Sequence, residues 1–218
     1  MPMMKATVFV APGRIELVDK PIPAIGPNDA LIAVSRETAR AHIEQGLDAA
    51  RTHVIYNGID TNEYQPTEAR DVLQRHGIDP GQPSAVFVGR ITRQKGVVHL
   101  LQAAEHFDPS IQLVLCAGAP DTPEIGAEVA ALVGKLQQRR RGVIWISEML
   151  PRPDIIQLLS AATVFVCPSI YEPFGIVNVE AMGCGAAVVA SAVGGIPEVV
   201  VDRETGFLVR YDADTAGN

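Results

Sequence analysis

Two groups of residues have the types and spacing that holding a phosphorylated ligand requires. The first is Phe87-Val88-Gly89-Arg90-Ile91-Thr92-Arg93-Gln94-Lys95-Gly96. A strand-like apolar run ends at a glycine, and Arg90 and Lys95 follow five residues apart, so one loop can aim both cations at a single anion. Gly96 lets the backbone come close to a ligand. A solvated charged loop ahead of a helix accounts for the same residues. The second group is Pro168-Ser169-Ile170-Tyr171-Glu172-Pro173-Phe174-Gly175-Ile176-Val177-Asn178-Val179-Glu180-Ala181-Met182. A helix beginning near Gly175 leaves the amides of Phe174, Gly175 and Ile176 free, which makes an anion site. Glu172 sits in the loop, and Glu180 lies one to two turns into the helix. A carboxylate set back from a phosphate site in this way can accept hydrogen bonds from ribose hydroxyls. A surface helix position is the alternative for Glu180, but its neighbours Val177, Val179, Ala181 and Met182 are apolar, and an unpaired buried carboxylate is costly. Gly194-Gly195-Ile196-Pro197-Glu198-Val199 is a further glycine turn into a helix, and a plain strand-to-helix connection explains it equally well.

These groups need a scaffold, and the rest of the chain describes one. Short apolar runs, AVFV, LVLCA, VIWI, VFVC and VVA, alternate with amphipathic helical segments. Runs without polar alternation are strands buried on both faces. The pattern predicts an α/β fold, a Rossmann-like parallel sheet with helices on both faces, whose ligands bind at the carboxyl ends of the strands. Helices are expected over 36–50 with Ser35 as cap, from Thr67 to Gly77, over 96–106, over 122–140 with Asp121 and Glu124 forming a capping box, over 154–161, over 176–184 and over 196–200. Before residue 35 the runs Lys5–Val10, Arg14–Val18 and Ala30–Val34, punctuated by Pro and Gly, read as a short β-meander.

Composition narrows the partners. The chain has 218 residues, 47% of them hydrophobic, with a formal charge of −7. That length suits one sizeable α/β domain, and the acidic balance argues against a nucleic-acid ligand. The basic run Arg139-Arg140-Arg141 suits the end of a helix. Cys116, Cys167 and Cys184 stand among small or apolar residues without metal-ligand spacing, so buried reduced thiols and a cytoplasmic location are expected. No apolar run is long enough to span a bilayer, and the N-terminus lacks a signal-peptide pattern. Asp212-Ala213-Asp214, the single D-x-D, reads as solvated loop. No metal and no cofactor is expected.

Taken together, NGID at 57–60, FVGR…KG at 87–96, the E-x7-E pair Glu172 and Glu180, and VGGIPEVV at 193–200 resemble the donor-binding domain of family 4 GT-B glycosyltransferases, in that family's order. WISEMLP and VFVCPSIYEPFGIVNVEAMGCG are most similar to bacterial glycogen synthases. The resemblance implies that Arg90 and Lys95 hold the diphosphate of ADP-glucose and stabilise its departure, and that Glu172 faces the donor sugar. It places Gly89 and the amides of Phe174, Gly175 and Ile176 around sugar and phosphates, Glu180 on the ribose, and Met149 and Leu150 by the base. The implied reaction is retaining glucosyl transfer to an α-glucan end or a glucose phosphate. Residues 1–34 resemble the start of zinc-type alcohol dehydrogenases, without that family's zinc ligands or a glycine-rich NAD motif. On this reading 1–34 is a separate β fragment and 35–218 is the donor domain, shortened at its C-terminus and lacking the acceptor half. Little or no turnover is then expected from the chain alone. A binding module without catalysis is the main alternative and a dehydrogenase fragment a remote one. An uncovered donor face would favour self-association.

Overall fold

A computed structural model describes residues 3–11, 14–21 and 29–211 of the chain. Strands β1 (Met3–Ala11) and β2 (Arg14–Pro21) form an antiparallel hairpin. Strand β3 (Leu31–Ala33) does not extend it into a meander. It pairs in parallel with β4 (Thr52–Val54), across helix α1 (Arg36–Glu44). Parallel pairing requires such a crossover, so β3 belongs with α1 and β4 rather than with the hairpin. Ser35 caps α1 by accepting from the Thr38 amide. The helix stops six residues before the expected 50: Gly46, at φ 99°, turns the chain, and Asp48 caps a separate 3₁₀ turn at Ala49–Arg51. The left-handed backbone at Gly46 is a common helix terminator.

Six parallel strands make the main sheet: β5 (Ser84–Arg90), β6 (Gln112–Gly118), β7 (Val143–Ile146), β8 (Val164–Cys167), β9 (Ala187–Ser191) and β10 (Phe207–Val209). Their spatial order is β10-β9-β8-β5-β6-β7, the doubly wound order expected of the apolar runs. Between them lie α2 (Asp71–Arg75), α3 (Val97–Ala103), α4 (Pro123–Arg139), α5 (Arg152–Ala161) and α6 (Ile176–Gly183). Strand alternation distributes the core over both faces. Phe87, Leu113 and Leu115 pack on α3 and α4, whereas Val86, Val114 and Cys116 pack with Val72, Leu73 and Leu158 of α2 and α5. Phe165, Cys167 and Val188 meet Leu159 and Ala181 of α5 and α6. Burying a side chain of this size contributes roughly 1.5–3 kcal/mol.

Three local expectations are corrected. Thr67 does not cap α2, which has five residues and no side-chain cap; the Thr67 hydroxyl accepts from Ala69 in the preceding turn. Thr122, not Asp121, caps α4, accepting from the Ile125 amide. The segment 196–200 forms only a 3₁₀ turn, Ile196–Glu198. At the end of α4, Arg139 pairs with Glu105 at 3.0 Å, and the Arg140 guanidinium donates to the carbonyls of Ala104 at 2.9 Å and Asp108 at 3.1 Å. The run thus ties α4 to the end of the neighbouring helical segment. All three cysteines are free and buried, and burial pushes the Cys116 thiol up to about 11. No helix among the described residues is long and apolar enough to cross a membrane. A largely apolar hollow of about 460 Å³ lies on the α3 side of the sheet, lined by His99, Ala103, Val164, Val166, Pro168 and Val189 among others. Asp212-Ala213-Asp214 lies outside the described residues.

Candidate functional site

The strand order reverses between β5 and β8. These neighbours pair only at Ala85–Val164 and Val86–Phe165, so their carboxyl ends splay. The gap is lined by Phe87, Val88, Lys95, Ser169, Glu172 and Asn178. A reversal of this kind is where doubly wound sheets place ligands. Both sequence-identified loops meet there. Lys95 Nζ donates to Glu172 Oε2 at 2.6 Å, and Ser169 Oγ donates to the same oxygen at 3.3 Å. Glu172 is 7% exposed, so a charged residue from each loop is fastened under the crevice floor.

The loops are held backbone to backbone. Gly96 has φ 65°, and a Cβ there would sit 1.8 Å from the Pro168 carbonyl oxygen; the Ile170 amide donates to the Gln94 carbonyl at 2.9 Å. Thr92, buried, accepts from the Lys95 amide at 3.1 Å and shapes the turn that presents Lys95. On the other side, Gly194 has φ 54° and its Cβ would lie 2.0 Å from the Glu172 carbonyl oxygen, which accepts from the Gly195 amide at 2.8 Å. The turn Gly194–Glu198 therefore does more than connect a strand to a helix: it braces the Glu172 loop.

Arg90 and Lys95 do not converge on one partner. Arg90 is exposed and its Nη1 donates to Asp121 Oδ1 at 2.7 Å. It stands at a cavity of about 250 Å³ between the ends of β5, β6 and β7, lined also by Gly89, Cys116, Gly118, Ala119, Glu148, Met149, Leu150 and Ile155. Gly118 is required there, since a Cβ would lie 2.3 Å from the Ser147 carbonyl oxygen. Met149 is 85% exposed at the rim, and Leu150 is 9% exposed in the wall. Its walls are mostly apolar, and the charged residues that line it are Arg90 and Glu148.

Helix α6 begins at Gly175, whose φ is 90°. The amides of Phe174, Gly175 and Ile176 have no acceptor among the described residues. Asn178 is fully buried, and its Nδ2 donates to the Gly175 carbonyl at 3.2 Å. Glu180 is half-buried, and Tyr64 is the polar neighbour that acts most strongly on its carboxyl. Burial raises the Glu180 carboxyl above the usual range, opposed by Tyr64 and by the Arg152 charge. Tyr64 is pushed up to about 12 by burial first and by Glu180 second. Asn178 was not among the sequence candidates; its signal was a lone amide in an apolar helix. Asp121, Tyr64 and Glu198 were also missed, and only their tertiary partners give them a role.

The sign of the Glu180 shift gives an expected result. A carboxyl raised in the fold favours the folded state below its ordinary pKa, and that contribution is lost as pH rises through the folded value. Glu180→Gln should therefore melt at the same temperature as the parent below about pH 4 and at an equal or higher temperature at pH 7. If Glu180 meets a ribose, as the family resemblance implies, the same variant should bind a ribose-containing ligand about tenfold more weakly, through loss of charge-assisted hydrogen bonds. Melting curves at the two pH values, with calorimetric titration at pH 7, check both halves.

The fold and its crevice define a GT-B glycosyltransferase domain. The chain belongs to the family described as glycosyl transferases group 1, which matches residues 69–216, and the glycosyltransferase family 4 description matches residues 23–63. That second match takes in residues 23–34, which the sequence alone sets apart as part of a dehydrogenase-like fragment, and it agrees with the pairing of β3 with β4. The α-maltose-1-phosphate synthase of Mycolicibacterium smegmatis is 57% identical over 198 residues, 88% of this chain and 51% of the relative. The same-named protein of Mycobacterium tuberculosis is 56% identical over 86% of this chain and 50% of the relative. The chain thus spans about half the length of the curated relatives it matches. Among solved structures, HepE of Anabaena in complex with UDP-glucose superposes with a TM-score of 0.75 at 30% identity, over 83% of this chain and 50% of that one. Sucrose-phosphate synthase from Thermosynechococcus elongatus gives 0.69 at 33% identity, over 85% and 46%. The names of the 57% and 56% identical relatives move the subfamily away from the glycogen synthases that the sequence suggested.

Proposed function

We propose that this domain binds a nucleoside diphosphate glucose, with ADP-glucose as the donor, and presents it for retaining glucosyl transfer to a glucose phosphate, with an α-glucan end as the second acceptor class. The observation that carries the reading is the Lys95–Glu172 pair at the splayed β5/β8 junction, beside the cavity of Gly89, Arg90, Met149 and Leu150. The base would enter that cavity, the ribose would reach Glu180, and the diphosphate would lie between Arg90, Lys95 and the amides of Phe174, Gly175 and Ile176. Negative charge builds on the diphosphate as its bond to the sugar C1 breaks, and preorganised cations stabilise that state. Both cations are held by carboxylates here, so the ligand would exchange with Asp121 and compete with Glu172. Glucose phosphate is favoured as acceptor by the names of the relatives, since adding one glucosyl unit to glucose 1-phosphate yields maltose 1-phosphate. The domain would work in the cytoplasm, where its buried thiols stay reduced.

Binding without turnover is the second reading. It is favoured by the site itself, in which each assigned group serves the donor and none is left to position an acceptor. The dehydrogenase alternative is dropped, because glycosyltransferase families match 23–63 and 69–216. Titration with ADP-, UDP- and GDP-glucose should give the strongest heat with ADP-glucose, and adding glucose 1-phosphate should then yield maltose 1-phosphate. Heat without product leaves the second reading; no heat from any of the three at millimolar concentration rejects both.

A further inference from the structure

Glu198 lies outside the donor crevice, yet its carboxylate is fully engaged by another part of the chain. Oε2 accepts from the Arg36 amide at 2.9 Å and Oε1 from the Glu37 amide at 3.0 Å, which satisfies two free N–H groups at the start of α1. The Tyr56 hydroxyl, just after β4, donates to Oε2 at 2.9 Å. Burial raises the Glu198 carboxyl, but the two amides and Tyr56 outweigh it and hold it below the usual range. The β3-α1-β4 unit is thereby gripped at its helix start and its last strand by one side chain 142 to 162 residues away.

The backbone carrying that side chain is itself wedged against the donor loop. The Glu198 amide donates to Gly195 at 3.0 Å, and the Gly195 amide donates to the Glu172 carbonyl at 2.8 Å. A Cβ on Gly195 would lie 2.3 Å from the Pro173 carbonyl oxygen and 2.9 Å from Ser35 Cβ, so three segments pack at this point without slack. The Thr38 hydroxyl reaches the Pro173 carbonyl at 3.4 Å, and the Tyr56 and Phe174 rings lie 6.0 Å apart. We propose that Glu198 is a positioning residue: by clasping α1 and Tyr56 it ties the β3-α1-β4 unit to the Glu172–Gly175 loop, so that the loop's geometry depends on where that unit sits. The connection runs through few, short contacts, which lets a shift at one end reach the other. Its consequence for ligand binding rests on the donor-site reading under Proposed function.

Glu198→Gln removes one of the two acceptor oxygens, and Tyr56→Phe removes a single hydrogen bond. Hydrogen exchange in the full chain should show Arg36 and Glu37 losing protection about fivefold in Glu198→Gln, the size of a lost cap. The Gly195 amide should lose protection with them, while Leu115 in the central sheet keeps its parental rate. Tyr56→Phe should show the same pattern more weakly, and it carries the test if Glu198→Gln does not fold. ADP-glucose affinity should fall several-fold in both variants. Unchanged Gly195 protection beside faster Arg36 and Glu37 would reduce Glu198 to a local helix cap and overturn the proposal, as would equal loss at Leu115, which marks a general loss of stability. If the parent chain does not bind ADP-glucose, the donor reading fails while the exchange result still decides the clasp.

Discussion

Gly96→Ala should cost at least about 3 kcal/mol of folding stability, or prevent folding altogether, from one added methyl group. Two effects coincide at this position. The backbone is left-handed at φ 65°, and the new Cβ would lie 1.8 Å from the Pro168 carbonyl oxygen, a backbone atom that cannot rotate away. Relief would require moving the Arg90–Gly96 turn away from the β8 loop, which would also part Lys95 from Glu172. Gly77 supplies the control. Its φ is 66° and nothing lies within 4 Å of its would-be Cβ, so Gly77→Ala should cost only about 1 kcal/mol for the backbone conformation. Denaturant unfolding of the two variants separates strain from collision; equal losses would mean that the loops are not interlocked at Pro168.

Lys95→Met is expected to damage stability and ligand binding together, and a second substitution should separate them. Methionine keeps the bulk of the stem but leaves Glu172, 7% exposed, with only the Ser169 hydroxyl. Breaking a buried ion pair from one side costs about 3 kcal/mol or more. For a domain of this size that is a fall in melting temperature of roughly 10 °C. In Lys95→Met with Glu172→Gln the stranded charge is gone, and most of the stability should return. Ligand binding should not return. Lost charge-assisted bonds weaken nucleotide-sugar affinity by about tenfold or more, and any glucosyl transfer should fall by about 10² to 10³. A double variant that recovers both stability and affinity would remove Lys95 from the donor site and leave the pair a purely structural one.

The scaffold was legible in the sequence because a parallel sheet writes itself locally: AVFV, VIWI and VFVC read as strands with two buried faces, and each ends in the loop that carries candidate residues. The places of Arg90, Lys95, Glu172 and Gly175 in the fold were legible for the same reason, since strand ends and helix starts are properties of contiguous residues. Partnerships were not. Nothing near Glu180 names Tyr64, and nothing near Arg90 distinguishes Asp121 as an ion partner from Asp121 as a helix cap. The helix-capping role went to Thr122, one residue on, because Pro123 opens the helix and leaves Asp121 to turn toward Arg90. The pairing of β3 with β4 rather than β2 was hidden similarly: three-residue strands carry too little pattern to declare their neighbour. Glu198 was masked by an ordinary glycine turn whose importance lies in what it leans on.

The glycine-to-carbonyl contacts at Gly96, Gly118, Gly194 and Gly195 have a consequence for how such a domain can change over generations. The loops around the crevice meet main chain against main chain at these glycines, so the exposed side chains at the rim carry little of the frame. Tyr171, Met149 and Glu148 stand exposed at its rim and can be exchanged without disturbing the frame beneath. Substitution at the surface can therefore change the crevice mouth, while the four glycines, each closed off by a neighbouring carbonyl, have almost nowhere to go.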